Sequence, residues 1–160
     1  MAARPPARVL HLTPASSITI KPVHWLWDER VAQGTLCLVG GREGVGKSII
    51  TYTLAAQLTQ GILPGAHLGT PRAVIVAASE DSWEHTIVPR LMAAGANLSL
   101  IFRVDVTTPD GSDAALSLPK DLREFQRVLT ETCAALVIFD PLLSRLDAAL
   151  DTHKDAEVRQ

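Results

Sequence analysis

One junction constrains this chain more than any other feature: the apolar run Thr35–Gly40 (TLCLVG) passes through Gly41-Arg42-Glu43-Gly44-Val45-Gly46-Lys47-Ser48-Ile49 into a helical pattern. A continuous apolar run of that kind predicts a buried parallel strand. From Lys47 to Gln60, Ile50, Leu54 and Leu58 recur every fourth residue, which predicts a helix that Gly61 closes. The glycines between the two let the backbone take positive φ and approach a ligand without a Cβ in the way. Successive N–H groups then form an anion-binding nest, and the helix N-terminus adds roughly half a positive charge. Gly41 to Ile49 therefore read as a phosphate-binding loop for ATP. Lys47 serves the β and γ phosphates and the Ser48 hydroxyl ligates Mg²⁺. A chance glycine-rich turn would not require the flanking strand and helix.

The same alternation continues downstream. Ala73–Ala78 (AVIVAA), Ser99–Val104 (SLIFRV) and Ala135–Asp140 (ALVIFD) read as further strands. A helix capped by Ser82 and made irregular by Pro89 runs towards Gly95. Asp121–Thr132 reads as an amphipathic helix with Leu122, Phe125, Val128 and Leu129 on one side, and residues 107–119 read as loop. Strands alternating with helices predict an α/β fold, a mostly parallel sheet with helices on both faces. At 160 residues this is one domain, over residues 21–160, behind a flexible arm at 1–20.

A net charge of −2 argues against a uniformly basic nucleic-acid surface, though not against a local groove. No apolar run reaches the ~18 residues a membrane span needs, and the N-terminus lacks the apolar stretch of a secretory signal. Cys37 and Cys133 lie in or beside apolar runs without metal-type spacing, so they read as free buried thiols of a cytoplasmic protein. The five histidines show no ligand spacing, so no metal beyond Mg²⁺ is assigned.

A phosphate loop with magnesium needs a carboxylate at the end of a neighbouring buried strand. Asp140 stands there, closing ALVIFD, against the alternative of an ordinary strand-to-loop aspartate. Glu80 and Asp81 follow AVIVAAS at the sheet edge where ligands bind. Glu80 is the preferred general base for water attacking the γ phosphate; Asp81 also fits a solvated helix N-terminus. Trp25 and Trp27 either flank the adenine or pack against the sheet edge, the latter being favoured, and Trp83 reads as a core anchor.

These residues carry a resemblance. WLWDERVAQGTLCLVGGREGVGKS, VAASEDSWEHTIVPRLMAAG, LVIFDPL and DTHKDAEVR, in that order, resemble the RepA-like branch of RecA-type ATPases, the group of plasmid and phage replication helicases. The resemblance spans residues 22–160. It implies a RecA-like P-loop NTPase fold in which the C-terminal part of the core is missing. It also implies Glu80 as catalytic base, Asp140 in the magnesium shell, a homo-oligomeric ring that is usually a hexamer, and action on single-stranded DNA. Arg145, His153, Lys154 and Arg159 would then face the ring channel and meet DNA phosphates; a solvated mixed-charge segment fits them equally well. Two readings remain: a helicase-type ATPase, or a nucleotide-dependent recruitment module that does not turn over. A small P-loop kinase would want an arginine-rich lid, which the sequence lacks.

Overall fold

The computed structural model describes residues 9–146. Before the glycine loop the chain forms a small hairpin, β1 (Trp25–Trp27) antiparallel to β2 (Val31–Ala32). Leu26 is buried in the core, Trp27 packs against it, and the Arg30 guanidinium lies 4.7 Å from the Trp27 ring centre. Helix α1 (Lys47–Gln60) has the predicted bounds. Gly61, at φ 70°, caps it by donating its N–H to the Gln57 and Leu58 carbonyls, a left-handed geometry that favours glycine.

Strand β3 (Val74–Ala78) follows. The Ser82 hydroxyl accepts the His85 amide and starts a wide π-type turn over Trp83–Ile87. That turn runs into α2 (Val88–Ala93), which has Pro89 in its first turn, where its missing N–H costs nothing. Strand β4 (Ile101–Arg103) is shorter than the predicted 99–104 because Leu98–Leu100 coil into a 3₁₀ turn. The expected loop 107–119 is not wholly irregular: β5 (Val106–Thr107) and β6 (Asp113–Ala114) pair across it. Helix α3 (Leu122–Thr132) and strand β7 (Leu136–Asp140) complete the described elements.

The sheet is three-stranded and parallel, in the order β4-β3-β7, with Val74 opposite Leu136 and Ala78 opposite Asp140. Side chains alternate across it. Val74, Val76 and Ile138 face α1 and α2, packing with Tyr52, Ala55, Leu58, Ile87 and Leu91. On the other face Ile75 and Ala77 join Val137 and Phe139 beneath Phe125, Val128 and Leu129 of α3. Burying each large apolar side chain contributes about 1.5–3 kcal/mol. Helices thus cover both faces, as the alternating pattern predicts.

Several expectations are overturned. Thr35–Gly40 is not a buried strand: it is unpaired, with Leu36 71% and Leu38 72% exposed. A continuous apolar run specifies a preference for burial, but its hydrogen-bonding partner is non-local, and among the described residues β7 pairs only with β3. The buried stripe of α1 is Tyr52, Ala55, Ala56, Leu58 and Thr59, so Ile50 is exposed although its spacing is helical. Leu122 likewise stays outside the α3 stripe. Both Cys37 and Cys133 are exposed, not buried. Cys37 sits in the unpaired run, and Cys133 occupies the left-handed residue that ends α3.

Candidate functional site

The glycine loop enters α1 through Gly46, at φ 92°, with Gly44 at φ 75° before it. A Cβ at either position would be strained whatever space surrounds it. Gly41, Arg42, Glu43, Gly44 and Val45 are exposed, Gly46, Lys47 and Ser48 half-buried, and Ile49 exposed. The Lys47 ammonium folds back over the loop and donates to the carbonyls of Gly41 and Arg42, both at 2.8 Å. It thereby gathers the loop against the start of α1, where a helix leaves N–H groups unpaired.

Ser48, one residue into the helix, donates from Oγ to Asp140 Oδ2 at 2.7 Å. The end of β7 and the start of α1 are joined at their polar side chains. Next to them, the Ser79 N–H donates to the Asp140 carbonyl at 3.2 Å, and the Ser79 and Ser144 hydroxyls lie 2.9 Å apart. Ser144 in turn donates to the Pro141 carbonyl at 2.9 Å. These contacts tie together the ends of the two strands that carry the candidate acids. The roles of Ser79 and Ser144 had no spacing signal in the sequence, because they depend on β3 and β7 being neighbours.

Glu80 and Asp81 separate at the end of β3. Arg90 of α2 donates to Asp81 Oδ2 at 2.8 Å, both partners being partly exposed. Glu80 is exposed, and among the described residues its carboxylate enters no hydrogen bond or ion pair. The structure therefore gives Asp81 an ordinary surface partner and leaves the Glu80 carboxylate to solvent at the sheet edge.

Oxygen donors define this corner. Ser48 Oγ and Asp140 form a hard donor pair beside a backbone nest, and no group of three or more His, Cys, Asp or Glu side chains among the described residues suits a metal. Such a pair fits Mg²⁺, which binds through one or two protein oxygens plus phosphates and water, rather than a metal enclosed wholly by protein.

A cavity of about 840 Å³ opens at the C-terminal ends of β3 and β4, lined by Asp81, Trp83, Glu84, Arg103, Asp113 and Arg145 among others. Gly41–Ile49 do not line it. Trp83 packs against the core, as predicted, and the Arg103 guanidinium stands 5.9 Å from its ring centre. Arg145 is only 5% exposed, which corrects its placement as a channel-facing phosphate contact. Its backbone carbonyl accepts the Leu118 amide at 2.7 Å, which holds the residue inside the fold. His153, Lys154 and Arg159 lie outside the described residues.

A family model described as an AAA domain matches residues 3–160. The chain belongs to the AAA domain family, and it carries a nucleotide-binding ATPase domain of the P-loop type. Neither a curated protein nor a solved structure matches it. No helix among the described residues is long and apolar enough to cross a membrane.

Proposed function

We propose that this AAA-domain chain binds ATP with Mg²⁺ through Gly41–Ile49, and hydrolyses it as the motor core of a replicative-helicase-like protein acting on single-stranded DNA. The observation that carries the reading is the Ser48–Asp140 hydrogen bond at 2.7 Å, which couples the phosphate loop to the end of β7. In this reading the amides of the loop and Lys47 bind the phosphates, with Lys47 exchanging the Gly41 and Arg42 carbonyls for phosphate oxygens. Ser48 and Asp140 would hold the magnesium, which when bound would supply charge neutralisation for the transferred phosphoryl group. Glu80, one residue beyond the Ser79 that is tied to β7, accepts a proton from the attacking water. The RecA-like form of the fold and assembly into a homo-oligomeric, hexameric ring belong to the same proposal and rest on the resemblance of the motifs.

A second reading is a nucleotide-dependent recruitment module that does not turn over. Its support is the burial of Arg145, which removes one of the cations offered for DNA, and the cavity nearby carries more carboxylates than guanidinium groups.

ATP hydrolysis measured with and without single-stranded DNA, for this chain and for Lys47→Ala and Glu80→Gln, separates the two. Turnover that DNA raises and both substitutions abolish is the result expected of a motor. Mg-ATP binding that needs Lys47 but yields no turnover under either condition assigns the chain to the second reading.

A further inference from the structure

The chain contains a single tyrosine, Tyr52, and it is 1% exposed in the layer between α1 and the sheet. Its hydroxyl is buried and has no hydrogen-bond partner among the described residues. Buried polar groups are rarely left so, and each such group calls for an explanation such as a bound water or a functional role.

The position of Tyr52 suggests one. It stands four residues after Ser48 on α1, so the two side chains leave the same face of the helix. Ser48 reaches Asp140 from that face at 2.7 Å. Asp140 stands two residues after Ile138 on β7, so the two share a face of the strand, and Ile138 packs in one cluster with Tyr52, Val76 and Ile87. Asp140 therefore projects into the layer that Tyr52 occupies. Asp140 Oδ2 takes the Ser48 hydroxyl, whereas Oδ1 accepts no hydrogen bond from a described residue. A donor without an acceptor and an acceptor without a donor thus lie on the same side of the sheet. After burial, the charge of Asp140 and then that of Asp81 hold the phenol proton more tightly, and Arg90 opposes them.

We propose that Tyr52 is a positioning residue for the magnesium site, its O–H donating through one buried water towards Asp140 Oδ1 and fixing the carboxylate that Ser48 holds on the other side. The inference rests on the reading of Ser48 and Asp140 as the metal-binding pair. Tyr52 touches neither nucleotide nor metal; it acts through Asp140. An outer-shell partner of this kind orients the ligand it touches, and its removal weakens metal binding by about 10–100-fold.

The test is ATP affinity by calorimetry, with Mg²⁺ and with EDTA, for the full chain and for Tyr52→Phe, which keeps the ring and removes only the hydroxyl. The expected result is a loss of about tenfold or more in affinity with Mg²⁺ and no change in EDTA. An unchanged Mg²⁺ effect in Tyr52→Phe overturns the inference while leaving the metal reading intact. A wild-type chain whose ATP affinity ignores Mg²⁺ overturns the metal reading itself. A second measurement is independent of nucleotide and of whether Tyr52→Phe folds: ultraviolet resonance Raman spectroscopy of the lone tyrosine reports whether its hydroxyl donates. The donor signature should be present in the wild-type chain and change in Asp140→Ala, which removes both carboxylate acceptors; a spectrum indifferent to that substitution also overturns the inference.

Discussion

Ser48 Oγ and Asp140 Oδ2 lie 2.7 Å apart across 92 residues of sequence, a part-buried contact that joins the first turn of α1 to the last residue of β7. Removing the hydroxyl in Ser48→Ala leaves a carboxylate short of a donor. The expected cost is about 1–3 kcal/mol of folding stability, read from the urea midpoint, together with loss of the Mg²⁺ effect on ATP binding. Full retention of both would separate the contact from the site.

Lys47 holds two loop carbonyls at 2.8 Å, and the same three-proton ammonium is the one offered to phosphate. Hydrogen bonds to charged groups contribute about 1.5–3 kcal/mol each, so Lys47→Ala should weaken ATP binding by on the order of 10–100-fold. Lys47 is the half-buried first residue of α1 and its two bonds to the loop are solvent-exposed, so the thermal midpoint should fall only modestly. Calorimetric titration with ATP checks the first and a melting curve the second.

Glu80 and Asp81 make opposite predictions. Asp81 is engaged by Arg90 at 2.8 Å in a partly exposed pair, so Asp81→Asn should change stability by no more than about 1 kcal/mol and leave turnover near wild type. Glu80→Gln should retain ATP binding and lose on the order of 10²–10⁴ in turnover, the share a general base supplies. Steady-state phosphate release from both variants tests the pair; an inactive Asp81→Asn beside an active Glu80→Gln would reverse the assignment.

Burial, then the charges of Asp140 and Asp81, push the Tyr52 phenol up from 10.0 to about 12. Because the folded state holds this proton more tightly than the unfolded chain, its contribution is fully present below the unfolded value and is lost as pH rises through the folded one. Stability should therefore fall between about pH 10 and 12 by on the order of 2–3 kcal/mol. Tyr52→Phe should lack that share of the decline. Urea unfolding of the two chains across this range measures the difference, and phenolate absorbance follows the single tyrosine directly.

Cys37 and Cys133 are both exposed, one in the unpaired run before the phosphate loop and one at the end of α3. A maleimide should label both thiols of the folded chain without denaturant. Protection of Cys37 alone would mean that the Thr35–Gly40 run is covered in solution.

Features with local causes were legible along the chain. Helix α1 follows from its spacing and from Gly61; the turn into α2 follows from Ser82 and Pro89. The glycine loop before α1 was legible because positive-φ glycines and a lysine that folds back on them act within a few residues. Strands β3 and β7 were legible because continuous apolar runs flanked by turns have few alternatives. Features that depend on partners distant in the chain were not legible in it. The apolar run at Thr35–Gly40 has the composition of a buried strand, yet strand formation requires a neighbour's hydrogen bonds, and none is supplied among the described residues. Which stripe of α1 is buried depended on where the sheet lies, so Tyr52 entered the core while Ile50 did not. Arg145 looked like a surface cation because charge alone suggests solvent, and the fold buried it beside the Leu118 backbone. The candidate site shows the same division: Ser48 and Asp140 were each readable as candidate magnesium ligands, but only the parallel pairing of β3 with β7 and the packing of α1 brought them within a hydrogen bond.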